Sequence, residues 1–374
     1  MKGWKNLRLK EFCEFKYGKN LPEHSRVKGL YPVYGSSSVI SYHNQFLVKG
    51  PGIIVGRKGT VGKVQFSKSD FFPIDTTFFI EAKEDKADIK FLYYRLSLCG
   101  LEDMNSDAAV PGLNRDAASS LKIFLPPLPT QKKIAGILSA YDDAIENNLR
   151  RIKLLEEMAQ ITYEEWFLRL RFPGHESTPI NEATGLPEGW EKEKVGNVLS
   201  KIKTTKKIQN SEFLPKGLIP IVDQSRDFIA GYTDEPEALL NMDQPLIIFG
   251  DHTRILKFIN FPFARGADGT QVLLSKEPRM PQHLFYLSLI AVDLSNYHYA
   301  RHFKFLKDSE IILPSKEVAD EFEKYSNDKF TLIRELRNQN QHLREARDIL
   351  LPRLMTGVID AEKYQPENLL KEIA

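Results

Sequence analysis

Residues 131–164 read QKKIAGILSAYDDAIENNLRRIKLLEEMAQITYE, and the spacing within them decides the architecture. One glycine, Gly136, and no proline interrupt the run. Ile134, Leu138, Tyr141, Ile145, Asn148, Ile152, Leu155 and Ala159 follow one another at alternating steps of four and three. That beat predicts a helix from Gln131 to about Leu170, with one seam made to pack on another helix. A second run, Val318 to Leu350, has the same character. Its seam is read as Val318, Phe322, Tyr325, Ile333, Leu336, Asn340, Leu343, Leu350 and Leu354, interrupted by Lys329 and Arg347.

The two runs are copies. Leu125-Pro126 matches Leu313-Pro314 at an offset of 188, and the same offset sets Ile134 on Phe322, Ile145 on Ile333 and Leu155 on Leu343. The segments before them repeat as well. Gly189-Trp190 echoes Gly3-Trp4, and GLIPIVDQSRDFIAGY (217–232) echoes GLYPVYGSSSVISY (29–42). HLFYLSLI (283–290) echoes KFLYYRLSL (90–98), and HFKFLKDSEIILP (302–314) echoes LNRDAASSLKIFLP (113–126). β-Branched runs broken by glycine predict strands and turns, and Ile89 to Cys99 a short amphipathic helix. The expected fold is α+β. Two similar mixed α/β domains are joined by two long helices forming an antiparallel coiled coil, an internal repeat with pseudo-twofold symmetry.

The expected boundaries are a first domain at 1–126, a spacer helix at 127–172 and a Pro/Gly/Ser/Thr-rich linker at 173–187. A second domain at 188–313, a second spacer helix at 314–358 and a tail at 359–374 follow. In an antiparallel pair, crossing the helix midpoints sets Asn148 opposite Asn340, two polar seam residues able to fix the register. About 40 residues of helix span roughly 60 Å. Two readers on such a rigid spacer suit two short DNA sequences a fixed distance apart.

Bulk composition agrees with an ordinary soluble-type chain of two or three domains: 374 residues, 42% hydrophobic, 27% charged, net charge +2. Cys13 and Cys99 match no metal spacing and form no disulfide framework, which suits a reducing cytoplasm. The N-terminus MKGWKNLRLKEF has no apolar signal core, and no stretch reaches membrane-spanning length. Charge is uneven. Residues 1–125 hold 19 Lys and Arg against 13 Asp and Glu, whereas 173–313 hold 16 against 18. A DNA-binding chain of this kind is expected to have partners that share the phosphate contacts.

Enzyme motifs are missing. A methyltransferase motif, Asn/Asp-Pro-Pro-aromatic, is not met by Leu125-Pro126-Pro127-Leu128. GRKGTVGKV (56–64) imitates a phosphate-binding loop, yet Arg57 stands where glycine is required and Val64 where Ser or Thr is. A Gly-rich β-turn presenting Arg57 and Lys58 is the better reading. His298 and His302 in HYARH are four apart but have neither an intervening Glu nor a third ligand. A DNA-facing segment with Tyr297, Arg301 and Lys304 accounts for them better. Asp75 and Asp251 lack a nuclease-like partner pattern.

Base readout needs polar side chains on loops able to enter the major groove. In the first domain these are Ser36, Ser37 and Ser38; Arg57, Lys58 and Thr60; and Asn114 and Arg115. In the second they are Gln224, Ser225 and Arg226; Asp251, His252, Thr253 and Arg254; and Arg301 and His302. The polar residues differ at matched loops while the apolar frame is kept, as expected of two related readers with different targets.

PPLPTQKKIAGILSAYDDAI (126–145), LLPRLMTGVID (350–360), TGLPEGW (184–190) and GRKGTVGKV (56–64) together resemble the specificity subunit of type I restriction-modification enzymes, over essentially the whole chain. The second copy differs at Pro314-Ser315-Lys316-Glu317, where the first has Pro126-Pro127-Leu128-Pro129. The resemblance implies two target-recognition domains, each reading half of a bipartite site in double-stranded DNA, with helices that set the gap. It implies a non-catalytic, cytoplasmic subunit without cofactors of its own. Two methyltransferase (modification) subunits and restriction subunits would be the partners. The complex would be a DNA methyltransferase and ATP-dependent endonuclease, and S-adenosylmethionine, ATP and Mg would be bound by those partners. The competing expectation is a coiled-coil scaffold that binds protein or RNA without reading DNA sequence.

Overall fold

The computed structural model describes residues 3–104, 112–203, 205–241, 243–295 and 301–364. The chain forms two compact units, one of residues 1–147 with 339–374 and one of residues 148–338.

In the first unit, strand Lys5–Arg8 pairs antiparallel with Lys122–Leu125, from Lys5 opposite Leu125 to Arg8 opposite Lys122. A four-stranded antiparallel sheet runs in the order Cys13–Tyr17, Thr77–Ala82, Gly52–Gly56, Val64–Ser67. Gly52–Gly56 has a strand on either side and all five of its residues are buried, which is why it reads as the unbroken apolar run GIIVG. A three-stranded sheet holds Val39–His43, Tyr31–Tyr34 and Phe72–Pro73, the last parallel to its neighbour. FFPIDTTFFIEA is therefore two strands in different sheets. Helix α1 (Ile89–Leu96) is capped by Asp88, whose carboxylate accepts from the Phe91 amide at 2.8 Å. Helix α2 (Arg115–Ser120) leads into the last strand and on to α3 (Leu128–Tyr163).

The first unit's core joins Phe12, Phe15, Ile53, Phe78 and Phe91 to Ile134, Leu138, Tyr141 and Ile145 of α3. Leu343, Leu350 and Leu354, from a second long helix introduced below, complete it. Gln131 is fully buried and answers three backbone groups. It accepts from the Asp88 amide and donates to the carbonyls of Lys86 and Pro126. Asp142 accepts from the Tyr94 hydroxyl at 2.5 Å and from Arg347 Nη1 at 2.6 Å, so the charge that interrupts the second seam is paired.

Cys13 is buried, and burial pushes its thiol up to about 12. The native thiol should therefore stay almost wholly protonated at pH 8 and resist a disulfide reagent, reacting at the rate of a free cysteine only after unfolding. Labelling of the folded chain at the unfolded rate would contradict this placement. The same shift has a sign for stability. The unfolded thiol ionises first as pH rises above about 9, so the native state loses this contribution between about pH 9 and 12.

The second unit repeats the plan. Glu191–Lys194 pairs antiparallel with Glu310–Leu313. Leu246–Gly250, again fully buried, lies between Leu256–Ile259 and Thr270–Leu273. Ile219–Val222 pairs antiparallel with Gly231–Thr233 and parallel with Phe263–Arg265, which reproduces the parallel pair of the first unit. One turn, α4 (Val195–Val198), precedes α5 (Gln282–Ile290) and α6 (His302–Asp308). Helix α7 (Lys316–Met355) closes the repeat. Here Ile152, Ala159 and Tyr163 of α3 share a core with Ala319, Phe322, Phe330, Ile333 and Leu336 of α7. Phe172, Leu186 and Trp190, from the Pro/Gly-rich stretch and its flanks, belong to the same core.

Two helix readings need correction. The α-helical part of α3 ends at Tyr163, followed by a π turn at Glu164–Leu168 and by Leu170 at φ 57°. On α7, Ala319, Ser326 and Phe330 join the buried seam, whereas Val318 and Tyr325 are only half-buried. The seam takes two successive steps of four, which carries Tyr325 to the rim. There its hydroxyl meets the Thr162 hydroxyl at 2.8 Å and its ring lies under the Lys329 ammonium.

Candidate nucleic-acid interface

In the first unit, three loops converge. Strands Tyr31–Tyr34 and Val39–His43 are joined through Ser36, Ser37 and Ser38, with the Gly35 amide donating to the Ser38 carbonyl at 2.9 Å. Strands Gly52–Gly56 and Val64–Ser67 form a hairpin, so GRKGTVGKV is a β-turn region and not a strand-to-helix phosphate loop. The hairpin tip is tightly wound. The Gly62 amide donates to the Gly56 carbonyl at 2.8 Å, and a Cβ on Gly56 would lie 2.0 Å from the Thr60 carbonyl oxygen. The Thr60 amide reaches Ser36 Oγ at 3.4 Å, and Gln65 Nε2 donates to the Gly35 carbonyl at 2.9 Å, tying the hairpin to the serine loop. The Leu113 amide donates to the Arg57 carbonyl, and Lys58 bridges Gly112, which brings in the third segment.

Within this cluster Ser37, Ser38, Lys58, Thr60 and Arg115 are exposed, and Ser36 and Arg57 are half-buried. Asn114 is used locally, its Oδ1 accepting from the amides of Asp116 and Ala117 to cap α2. Asp75 contributes its backbone carbonyl, which accepts from Arg57. Sequence reasoning missed Tyr17, which is 51% exposed at the end of its strand and touches two of these arginines. No motif surrounds it. Only the pairing of Tyr17 with Phe78 brings it to this edge.

The second unit gathers the matched loops around Gln224. Its Oε1 accepts from the His252 amide at 3.1 Å, its Nε2 donates to the Asp268 carbonyl at 3.1 Å, and its own carbonyl accepts from Thr253 Oγ1 at 2.7 Å. The space is tight: a Cβ on Gly269 would meet Gln224 Nε2 at 2.6 Å. Ser225 turns inward to the Asp223 carboxylate. Asp251 is buried, and its Oδ1 accepts from the Phe303 amide at 2.8 Å while its carbonyl accepts from the His302 amide, so it holds the start of α6. His302 is covered too. Burial, then the nearby Arg254 charge, lower its pKa and favour the neutral imidazole. Arg254 has φ 62° and donates through Nη1 to the Leu294 carbonyl. Arg226, His252, Thr253, Arg254 and Arg301 are the exposed members.

Tyr297 and His298 lie outside the described residues. Among the described residues no group of three His, Cys, Asp or Glu side chains could hold a metal ion. Among them, too, no helix is long and apolar enough to cross a membrane. The two helix asparagines are both buried, and Asn340 Nδ2 donates to the Ile145 carbonyl at 3.4 Å.

Comparison with known proteins gives a consistent result. The family described as type I restriction modification DNA specificity domain matches residues 1–157. The MjaIX type I restriction enzyme specificity subunit of Methanocaldococcus jannaschii is 24% identical over 286 residues, 70% of this chain and 66% of that one. The MjaVIII specificity subunit of the same organism is 25% identical over 240 residues, 58% of this chain and 53% of that one. The chain thus spans less than two thirds of the length of these curated relatives. The crystal structure of a type I restriction-modification system S subunit from M. genitalium shares the fold. Its TM-score is 0.59 at 17% identity, over 94% of this chain and 96% of that one. With polar loops gathered at matching places in its two units, the chain is similar to the specificity subunits of type I restriction-modification enzymes, and its residues 1–157 match their DNA specificity domain.

Proposed function

We propose that the chain reads a bipartite sequence in double-stranded DNA and performs no chemistry itself. The observation that carries this reading is the matched loop cluster. Each unit gathers exposed Arg, Lys, Ser, Thr or His residues on loops at equivalent places of one repeated topology. Each cluster reads one half-site. Helices α3 and α7, paired antiparallel, set the gap between the halves, with Asn148 and Asn340 fixing register from their buried seam positions. The same helices receive two modification subunits, and restriction subunits complete an assembly in which S-adenosylmethionine, ATP and Mg belong to the partners.

The experiment is selection from a random duplex library by the full chain, expressed with its partner subunits. A two-part motif is expected. Exchange of residues 1–125 for another such domain should change one half only, and helical turns added within 140–160 should change the gap only. The Asn148→Ile/Asn340→Ile double variant should loosen the helix register and blur the gap. Enrichment of RNA or protein ligands with no preferred duplex would favour the scaffold reading instead.

A further inference from the structure

The first unit's loop cluster holds an arginine fixed on one edge and one face, and no hydrogen bond among the described residues takes its other edge. Arg57 donates from Nε at 3.1 Å and from Nη2 at 2.7 Å to the Asp75 carbonyl oxygen. Those two groups make up one side of the guanidinium fork. The Arg57 guanidinium carbon lies 5.3 Å from the Tyr17 ring centroid, within cation–π range. The Tyr17 ring is itself held, with its centroid 5.0 Å from that of the buried Phe78. The Arg115 guanidinium carbon sits 5.4 Å from the same Tyr17 ring.

What remains of Arg57 is its end: Nη1 and the second hydrogen of Nη2, two parallel donors in one plane. Their natural partner is a pair of adjacent coplanar acceptors. In the major groove, guanine presents that pair through N7 and O6, whereas adenine offers one acceptor beside a donor. We infer that the half-site read by the first unit contains a guanine contacted end-on by Arg57, with Tyr17 as the positioning residue. This rests on the DNA reading proposed above.

Selection by the full chain in its complex, with wild type and variants side by side, tests it. Wild type should show a guanine position in one half-site. Arg57→Ala and Arg57→Lys should both lose about tenfold discrimination at that position alone, because lysine keeps the charge but not the fork. Tyr17→Phe should behave as wild type, since the ring is retained. Tyr17→Ala should weaken discrimination at the same guanine while the other half-site stays unchanged, with thermal midpoints recorded to separate this from unfolding. A uniform loss across all sequences for Arg57→Ala would make Arg57 a phosphate contact and overturn the inference. So would a responding position that is not guanine. Intact guanine discrimination in Tyr17→Ala would remove Tyr17 from the mechanism. A wild-type complex with no sequence preference would sink the DNA reading itself, an outcome distinct from each of these.

Discussion

Phe322→Ala is expected to destabilise the second unit by about 3–5 kcal/mol, the usual cost of emptying a large aromatic site in a packed core. Phe322 has no exposed surface. Its ring meets Phe167 edge-on at 4.9 Å and Trp166 at 5.4 Å, with Tyr163 and Tyr325 at 6.3 and 6.2 Å. Such pairs add directional stabilisation to the area buried. The cluster ties α3, α7 and the stretch around Trp190 together, so little of the cavity can be closed by local movement. Denaturation by urea, followed by tryptophan fluorescence, reads the effect directly, because Trp166 and Trp190 belong to this core. Phe322→Leu, which refills part of the volume, should cost clearly less. A loss below about 1 kcal/mol for the alanine variant would contradict the packing described.

Gly62→Ala should be the most damaging single-methyl change in the first unit, at about 3–5 kcal/mol, because two effects combine: a left-handed backbone and overpacking against a rigid neighbour. Gly62 has φ 75°, and an added Cβ would lie 2.2 Å from the Leu101 carbonyl carbon and 2.3 Å from the Glu102 amide nitrogen. Both are backbone atoms and have no rotamer to escape into. Gly59, in the same hairpin at φ 79°, is the internal control: its nearest neighbour is the Ser36 hydroxyl at 3.2 Å. Gly59→Ala should cost only about 1–2 kcal/mol, the backbone contribution alone. Since the hairpin carries Arg57, Lys58 and Thr60, Gly62→Ala should also erase the first half-site preference and leave the second in place. Thermal denaturation with half-site selection checks both. Equal costs for the two glycines would refute the close contact with Leu101.

The long helices and the repeat were legible because their signals extend over tens of residues. The 188-residue offset carries the helix landmarks from Leu125 to Leu155 onto the second copy without a gap, and a chance match over that span is improbable. Within the helices, local departures escaped. Ser326 and Phe330 enter the seam through two steps of four, and a strict alternation of three and four passes them over. For the candidate loops the sequence pointed to places in the chain rather than to contacts. Asn114, Asp251 and Gln224 are polar, and on loops, but the structure uses their acceptors on nearby amides. Composition alone cannot separate a residue that caps a helix from one that faces a ligand. Asn114 did carry a usable sign, since an asparagine directly before the helix-forming RDAASS is a common N-cap. Tyr17 carried none, because only strand pairing brings it beside Arg57 and Arg115.

The division of the long helices between the two cores has a consequence for the order of folding during synthesis. The second unit is one continuous segment, 148–338, and all of its parts are available once that segment has left the ribosome. The first unit is discontinuous: residues 1–147 need Leu343, Leu350 and Leu354, which are made some two hundred residues later. The N-terminal domain is synthesised first but completed last, against the usual N-to-C sequence of events. Until then the seam of Ile134, Leu138 and Ile145 has its own domain on it but lacks the cover that Leu343, Leu350 and Leu354 supply, so the growing chain carries a partly uncovered apolar stripe while the second unit is being made.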